Sequence, residues 1–150
     1  MLQPPRTRFV LIEPSHAGNV GAAARAMKVM GFDDLVLVRP RWPDVLTRPE
    51  AVERASGADD VLRAARIADT LEHALHGMTH LCATAMTARD FGPPTRAPRK
   101  HFGQLLKQAA PESAPESDSA HPWGVALLFG CERHGMRNED VWRCHVVLRS

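Results

Sequence analysis

The chain is poor in cysteine. Cys82, Cys131 and Cys144 are too few and too irregularly placed for a disulfide framework, and no C-x-x-C spacing is present for a structural zinc site. No apolar run approaches the ~20 residues that a bilayer span requires, and the opening MLQPPRTRF has no apolar core of a signal peptide. The expectation is a soluble, cytoplasmic protein with no membrane segment and no metal. Charge of one sign is also scarce: 19 Lys and Arg stand against 17 Asp and Glu, a formal +2. That is far short of binding nucleic acid by bulk charge alone. A local basic surface is left open, because Arg6, Arg8, Arg39, Arg41, Arg89, Arg96, Arg99 and Lys100 fall at the edges of apolar segments. G-x-G-x-x-G and G-x-x-x-x-G-K-[ST] are both missing, so dinucleotide-fingerprint and P-loop readings are weak.

What is present is a chain of 150 residues, 44% hydrophobic, able to bury roughly two-thirds of its unfolded surface as one domain. Phe9–Ile12, Leu35–Val38, Val125–Phe129 and Val146–Leu148 are short apolar runs without polar alternation, the pattern of strands covered on both faces in a parallel sheet. Between the first two, Val20, Ala24, Met27 and Met30 recur at helical spacing from Gly18 until Gly31 supplies a stop, which makes a β-α-β unit. Pro49 to Ala65 is helix-rich, and Asp69 or Thr70 can cap a short helix bearing Leu71, Ala74 and Leu75 up to Gly77. Leu81–Thr84 is a further strand. Residues 91–100 form a Pro-rich basic loop, Phe102 to Ala109 an amphipathic helix, and 111–121 a solvated connection. The order is an α/β alternation around a mostly parallel sheet flanked by helices.

Open α/β sheets bind ligands beyond the carboxyl ends of their strands, so the segments after three runs carry the chemistry: 13–25, 83–90 and 130–139. Read blind, Asn19 caps a helix, and Gly18 and Gly21 form a tight turn near free backbone N–H groups. Stepping ~100° per residue puts Arg25 well off the Val20–Met30 stripe, outside the core. Met86 and Met136 read as gap-filling apolar residues. His73, His76 and His80 lack a completing carboxylate or cysteine and carry no metal expectation. Cys144 and His145 are adjacent strand residues facing opposite ways, which argues against a nucleophile pair.

Three runs carry a family resemblance. N-V-G-A-A-A-R-A-M-K-V-M-G-F, from Asn19, resembles the first motif of the SPOUT-superfamily RNA ribose 2′-O-methyltransferases, in the SpoU/TrmH, TrmJ-like branch that acts on tRNA and rRNA. F-G-C-E-R-H-G-M-R-N-E-D, from Phe129, resembles the second motif, and A-T-A-M-T-A-R-D-F-G-P-P, from Ala83, the strand-end loop between them. The match runs over essentially the whole chain in order. A third motif, of the type S-L-N-x-x-x-A, follows a segment like Cys144–Leu148 in that family, and the chain ends at Ser150. The expectation is therefore one SPOUT domain over 1–150, C-terminally incomplete, with most of the trefoil-knot segment beyond it.

The resemblance implies methyl transfer from S-adenosylmethionine to a ribose 2′-hydroxyl of RNA, with tRNA first and rRNA second, without a metal, in a homodimer. Arg25 would activate or orient the hydroxyl, and because a guanidinium carries only donors the proton goes to phosphate or water. Asn19 would hold the ribose or orient Arg25, and Glu132 would pair with either or cap the Gly130 turn. Thr84, Ala85, Met86, Gly130, Gly135 and Met136 would line the cofactor, chiefly through backbone groups. Ala22, Ala26 and Val29 make a second face of the first helix, expected against a partner subunit. The alternative is a non-catalytic RNA-binding or dimerisation module of the same fold.

Overall fold

The computed structural model describes residues 6–85, 95–96, 124–130 and 136–149. The apolar runs form the strands of one seven-stranded sheet, β1 (Arg6–Ile12), β2 (Asp34–Val38), β3 (Arg66–Ala68), β4 (His80–Ala85), β5 (Thr95–Arg96), β6 (Gly124–Phe129) and β7 (Val146–Arg149), in the order β3-β2-β1-β6-β4-β7-β5. Every pair is parallel. The chain steps outward from β1 to β3 and then crosses to the other half of the sheet, so the strand order reverses beside β1. That is where an open α/β sheet presents a crevice.

Helices cover both faces. On one, Phe9, Leu35 and Leu37 pack with α1 (Ala17–Met30), α2 (Pro49–Ala55), α3 (Asp59–Ala64) and Val45 of a 3-10 turn. On the other, Val10, Ile12, Val36 and Val38 pack with α4 (Leu71–Ala74) and α5 (Asn138–Trp142). Successive strand residues thus feed alternate cores. Full burial of a Val or Leu side chain stabilises by roughly 1.5–3 kcal/mol, which is what holds such polar-poor strands in the sheet centre.

Local signals account for most boundaries. Gly31, at φ 87°, ends α1 with its N–H on the Lys28 carbonyl (3.1 Å) and Phe32 N–H on that of Met27 (2.8 Å). Thr70, rather than Asp69, caps α4: its hydroxyl accepts the His73 N–H at 3.1 Å, a contact typically worth ~1 kcal/mol.

Four sequence expectations change. Asn19 is not a cap, since α1 begins at Ala17 with His16 in the capping position, and Gly21 lies in mid-helix rather than in a turn. The 49–65 segment is helix-rich as expected, in two helices that part at Ser56 and Gly57, both in left-handed backbone. Met30 is 54% exposed because it is the last helical residue, beyond the reach of the sheet. Arg8 is buried rather than part of a basic surface: Nε donates to Asp34 (3.0 Å) and Nη1 to the Ala74 and His76 carbonyls (2.7 and 2.9 Å). Two strands were not foreseen, β3 and, inside the basic loop, β5. The helix and connection expected over 102–121 lie outside the described residues.

Candidate functional site

At the carboxyl edge the end of β1 turns sharply. Glu13 has φ 51°, and its neighbour in space, Arg39 at the end of β2, has φ 45°. Each is fastened by its own backbone, Glu13 N–H to the Val38 carbonyl (2.7 Å) and Arg39 N–H to that of Ala68 (3.1 Å). The Glu13 carboxylate accepts from Arg39 Nη2 at Oε1 (3.2 Å) and from Arg137 Nη2 at Oε2 (3.3 Å). Arg137 stands at the capping position of α5, so this ion cluster joins the loop after β1 to the loop after β6.

From Glu13 the chain runs through Pro14–His16 into α1. Asn19 is exposed in the first turn, and Arg25 is exposed two turns on. Both line an open groove of about 800 Å3. Arg25 has no ion-pair or hydrogen-bond partner among the described residues, so its guanidinium is available to a ligand. The β2–α2 connection and α2 also line the groove, with Arg41, Trp42, Arg48 and Arg54.

α2 approaches this closely because Gly21 has no side chain. A Cβ there would overlap the Ala51 carbonyl, so the glycine sets the α1–α2 spacing rather than a turn. Gly18 plays a milder part, with Arg54 Nε 3.5 Å from where its Cβ would stand.

The second group of candidates lies on the other half of the edge. Strands β4 and β6 are adjacent, with Ala83 opposite Leu128, which brings Thr84, Ala85 and Gly130 to neighbouring strand ends. The Thr84 hydroxyl donates to the Leu128 carbonyl at 2.9 Å and so ties the two ends together. Met136 is buried in the core that α4 and α5 cover, as a gap-filling residue would be. Met86, Glu132 and Gly135 lie outside the described residues.

Nearby titratable groups are structural. Burial pushes the Cys82 and Cys144 thiols up to about 12, so neither is a nucleophile at neutral pH. Cys144 Sγ donates to the Asp140 carbonyl, while His145 is exposed and accepts the Leu81 N–H at Nδ1 (2.9 Å), so the adjacent pair acts separately. Burial also raises the Asp140 carboxyl above its ordinary range, with Arg143 chief among the groups pulling it down. His80 stacks on His145, and among the described residues no group of three His, Cys, Asp or Glu could hold a metal. No helix of the described residues is long and apolar enough to cross a membrane.

Sequence reasoning missed Glu13, Trp42 and Arg54 as parts of this edge. Glu13 sat inside an inspected segment without a partner to give it meaning. Trp42 and Arg54 reach the groove only through the fold.

Residues 6–149 match the family described as SpoU rRNA Methylase. The chain is 43% identical over 147 residues to a tRNA (cytidine/uridine/adenosine-2′-O-)-methyltransferase TrmJ of Pseudomonas aeruginosa, covering 97% of this chain and 52% of that protein. Among solved structures, a probable methyltransferase from Bordetella pertussis Tohama I superposes with a TM-score of 0.82 at 43% identity, covering 97% of this chain and 81% of that one. TrmJ from Z. mobilis ZM4 follows at a TM-score of 0.78 and 34% identity, covering 98% and 58%. The chain spans about half the length of the curated relatives it matches.

Proposed function

The chain belongs to the SpoU rRNA Methylase family, and from that membership we propose that it takes part in transferring a methyl group from S-adenosylmethionine to a ribose 2′-hydroxyl of RNA, tRNA first and rRNA second. The single observation that carries the reading is that Arg25, exposed and without a partner among the described residues, shares one groove with Asn19. The names of the matched relatives support tRNA as the substrate, and none of them supports a non-catalytic module.

The residues present fit the cofactor. Small residues, Ala85 and Gly130, stand at the ends of adjacent parallel strands that Thr84 pins together, which favours a ligand held through backbone N–H and carbonyl groups. Ala85, Gly130 and the backbone of Met136 would line it, with Met86 and Gly135. Thr84 acts mainly by holding the strand ends. When bound, S-adenosylmethionine supplies a methyl group already activated on a sulfonium, so the protein's task is chiefly alignment.

Arg25 grips the phosphate beside the target ribose and orients the 2′-hydroxyl. A guanidinium has only donors, so the hydroxyl proton leaves to phosphate or to water rather than to Arg25. Asn19 fixes the ribose or the guanidinium, and Glu132 helps to organise both. The exposed Ala22, Ala26 and Val29 face of α1 packs on a second copy, giving a homodimer with Arg25 near the interface. Residues 1–150 belong to one methyltransferase domain, and the protein that carries it modifies RNA in the cytoplasm.

The test is methyl transfer. Full-length protein, labelled S-adenosylmethionine and an unmodified tRNA transcript should yield 2′-O-methylated nucleosides on digestion and mass spectrometry. Label on a base, or none on RNA, would overturn the reading.

A further inference from the structure

We propose that the part of the groove built by Arg41, Trp42 and Arg54, which Arg25 also lines, binds the sugar–phosphate backbone of the RNA strand flanking the nucleotide to be methylated. The inference rests on the reading of Arg25 above and adds where the rest of the strand lies.

The first argument is construction. Arg41 N–H donates to the Pro14 carbonyl (3.0 Å) and Trp42 Nε1 to the Ser15 carbonyl (3.2 Å). The loop after β2 is thereby fastened at two consecutive points to the loop that leads into Asn19. Guanidinium groups of Arg41 and Arg48 lie 4.7 and 4.0 Å from the Trp42 ring centroid. Cation–π contact of this kind restrains long side chains that would otherwise lose rotamer freedom on meeting a ligand.

The second argument is charge. Arg48 is offset by Asp44, Nε to Oδ1 at 3.0 Å. Arg41 and Arg54, like Arg25, have no carboxylate partner among the described residues. Glu50 and Glu53 also line the groove, so the surplus of positive charge is small and its placement matters more than its sum. Three guanidinium groups without a carboxylate partner, all lining one open groove, suit a ligand with several separated phosphates, because each planar fork matches two phosphate oxygens. A strand of RNA has such phosphates and is already required at Arg25. Glu50 and Glu53, on the same helix as Arg54, would oppose phosphates that approach them, confining the backbone to the arginines.

The two helices keep this part of the groove in place. The bare Gly21 allows α2 to close on α1, and Arg54 Nε then lies beside Gly18. No single element carries the site: the loop after β1, the loop after β2 and α2 each supply part of it.

The experiment uses the full-length protein and a fluorescent unmodified tRNA, with anisotropy titrations at several salt concentrations alongside steady-state methylation. Arg41→Ala and Arg54→Ala should each weaken binding about tenfold, the loss of one charge-assisted contact, and lower the salt slope by about 1. Each should raise KM for RNA far more than it lowers kcat. Trp42→Phe, which keeps an aromatic ring but removes the N–H to Ser15, should weaken binding several-fold, and Glu53→Gln should tighten it about twofold. Unchanged affinity and salt slope in an Arg41→Ala/Arg54→Ala double variant with wild-type circular dichroism would overturn the proposal even if methyl transfer proceeds normally. Absent methyl transfer by the wild type, with the double variant still weakened in RNA binding, would instead overturn the enzymatic reading and leave the groove standing.

Discussion

Gly21 of α1 rests its bare Cα against the backbone of Ala51 in α2, at a separation that leaves no room for a methyl group beside the Ala51 carbonyl. Both residues are buried. The motif glycine is therefore a spacing device, and through it the first helix carries Asn19 and Arg25 to within one groove of Arg54.

Gly21→Ala should accordingly destabilise the protein by about 1–3 kcal/mol, the usual cost of overpacking, even though alanine is the better helix former by ~1 kcal/mol. Denaturant or thermal midpoints against wild type measure it. An unchanged or raised midpoint would show that α2 moves aside without cost and that the glycine answers to something else.

Arg25→Ala separates a surface charge from a catalytic one. A solvated helix charge would change stability by under ~0.5 kcal/mol and leave activity intact. A residue that orients ribose and phosphate in the transition state should instead cost about 10²-fold or more in rate, with cofactor binding nearly unchanged. Arg25→Lys should recover little, since an ammonium lacks the planar fork. Single-turnover methyl transfer to tRNA is the readout, and near-normal turnover by the alanine variant returns Arg25 to the surface.

Ala26→Glu addresses assembly. Ala22 and Ala26 are exposed on α1, and Val29 is 82% exposed, an apolar strip with nothing upon it in the single chain. If a second copy covers it, a carboxylate at Ala26 should give monomers by multi-angle light scattering, with unchanged circular dichroism. Dimers that persist in the variant would place the interface elsewhere.

Asp140→Asn tests an electrostatic cost inside the fold. Burial raises the Asp140 carboxyl above its ordinary 3.8, so the folded state favours the protonated form. Its contribution to stability is fully present below that ordinary value and is lost as pH rises through the folded one. At pH 7 the ionised carboxylate opposes folding. The asparagine variant should therefore melt higher than wild type at pH 7, and the gain should vanish as pH falls below the ordinary value. A loss of stability at neutral pH would mean that Arg143, Arg137 and Arg39 outweigh burial.

The sequence by itself determined the parallel α/β order, because β1, β2, β4, β6 and β7 are apolar runs whose composition needs cover on both faces, and it determined the stop at Gly31, a local matter of left-handed backbone. A motif is a local pattern, so the sequence also singled out Asn19 and Arg25, and the helical period alone moves Arg25 off the core, where it is exposed. Strand β3 escaped, because Arg66, Ile67 and Ala68 have no apolar run of their own and are held by pairing with β2. Only the tertiary structure decided that Arg8 is buried on Asp34 from 26 residues away, that Gly21 answers to Ala51, and that Arg41, Trp42 and Arg54 line one groove with Arg25. These are contacts between distant segments, created when the helices close on the sheet, and their partners leave no periodicity or spacing along the chain by which to be read.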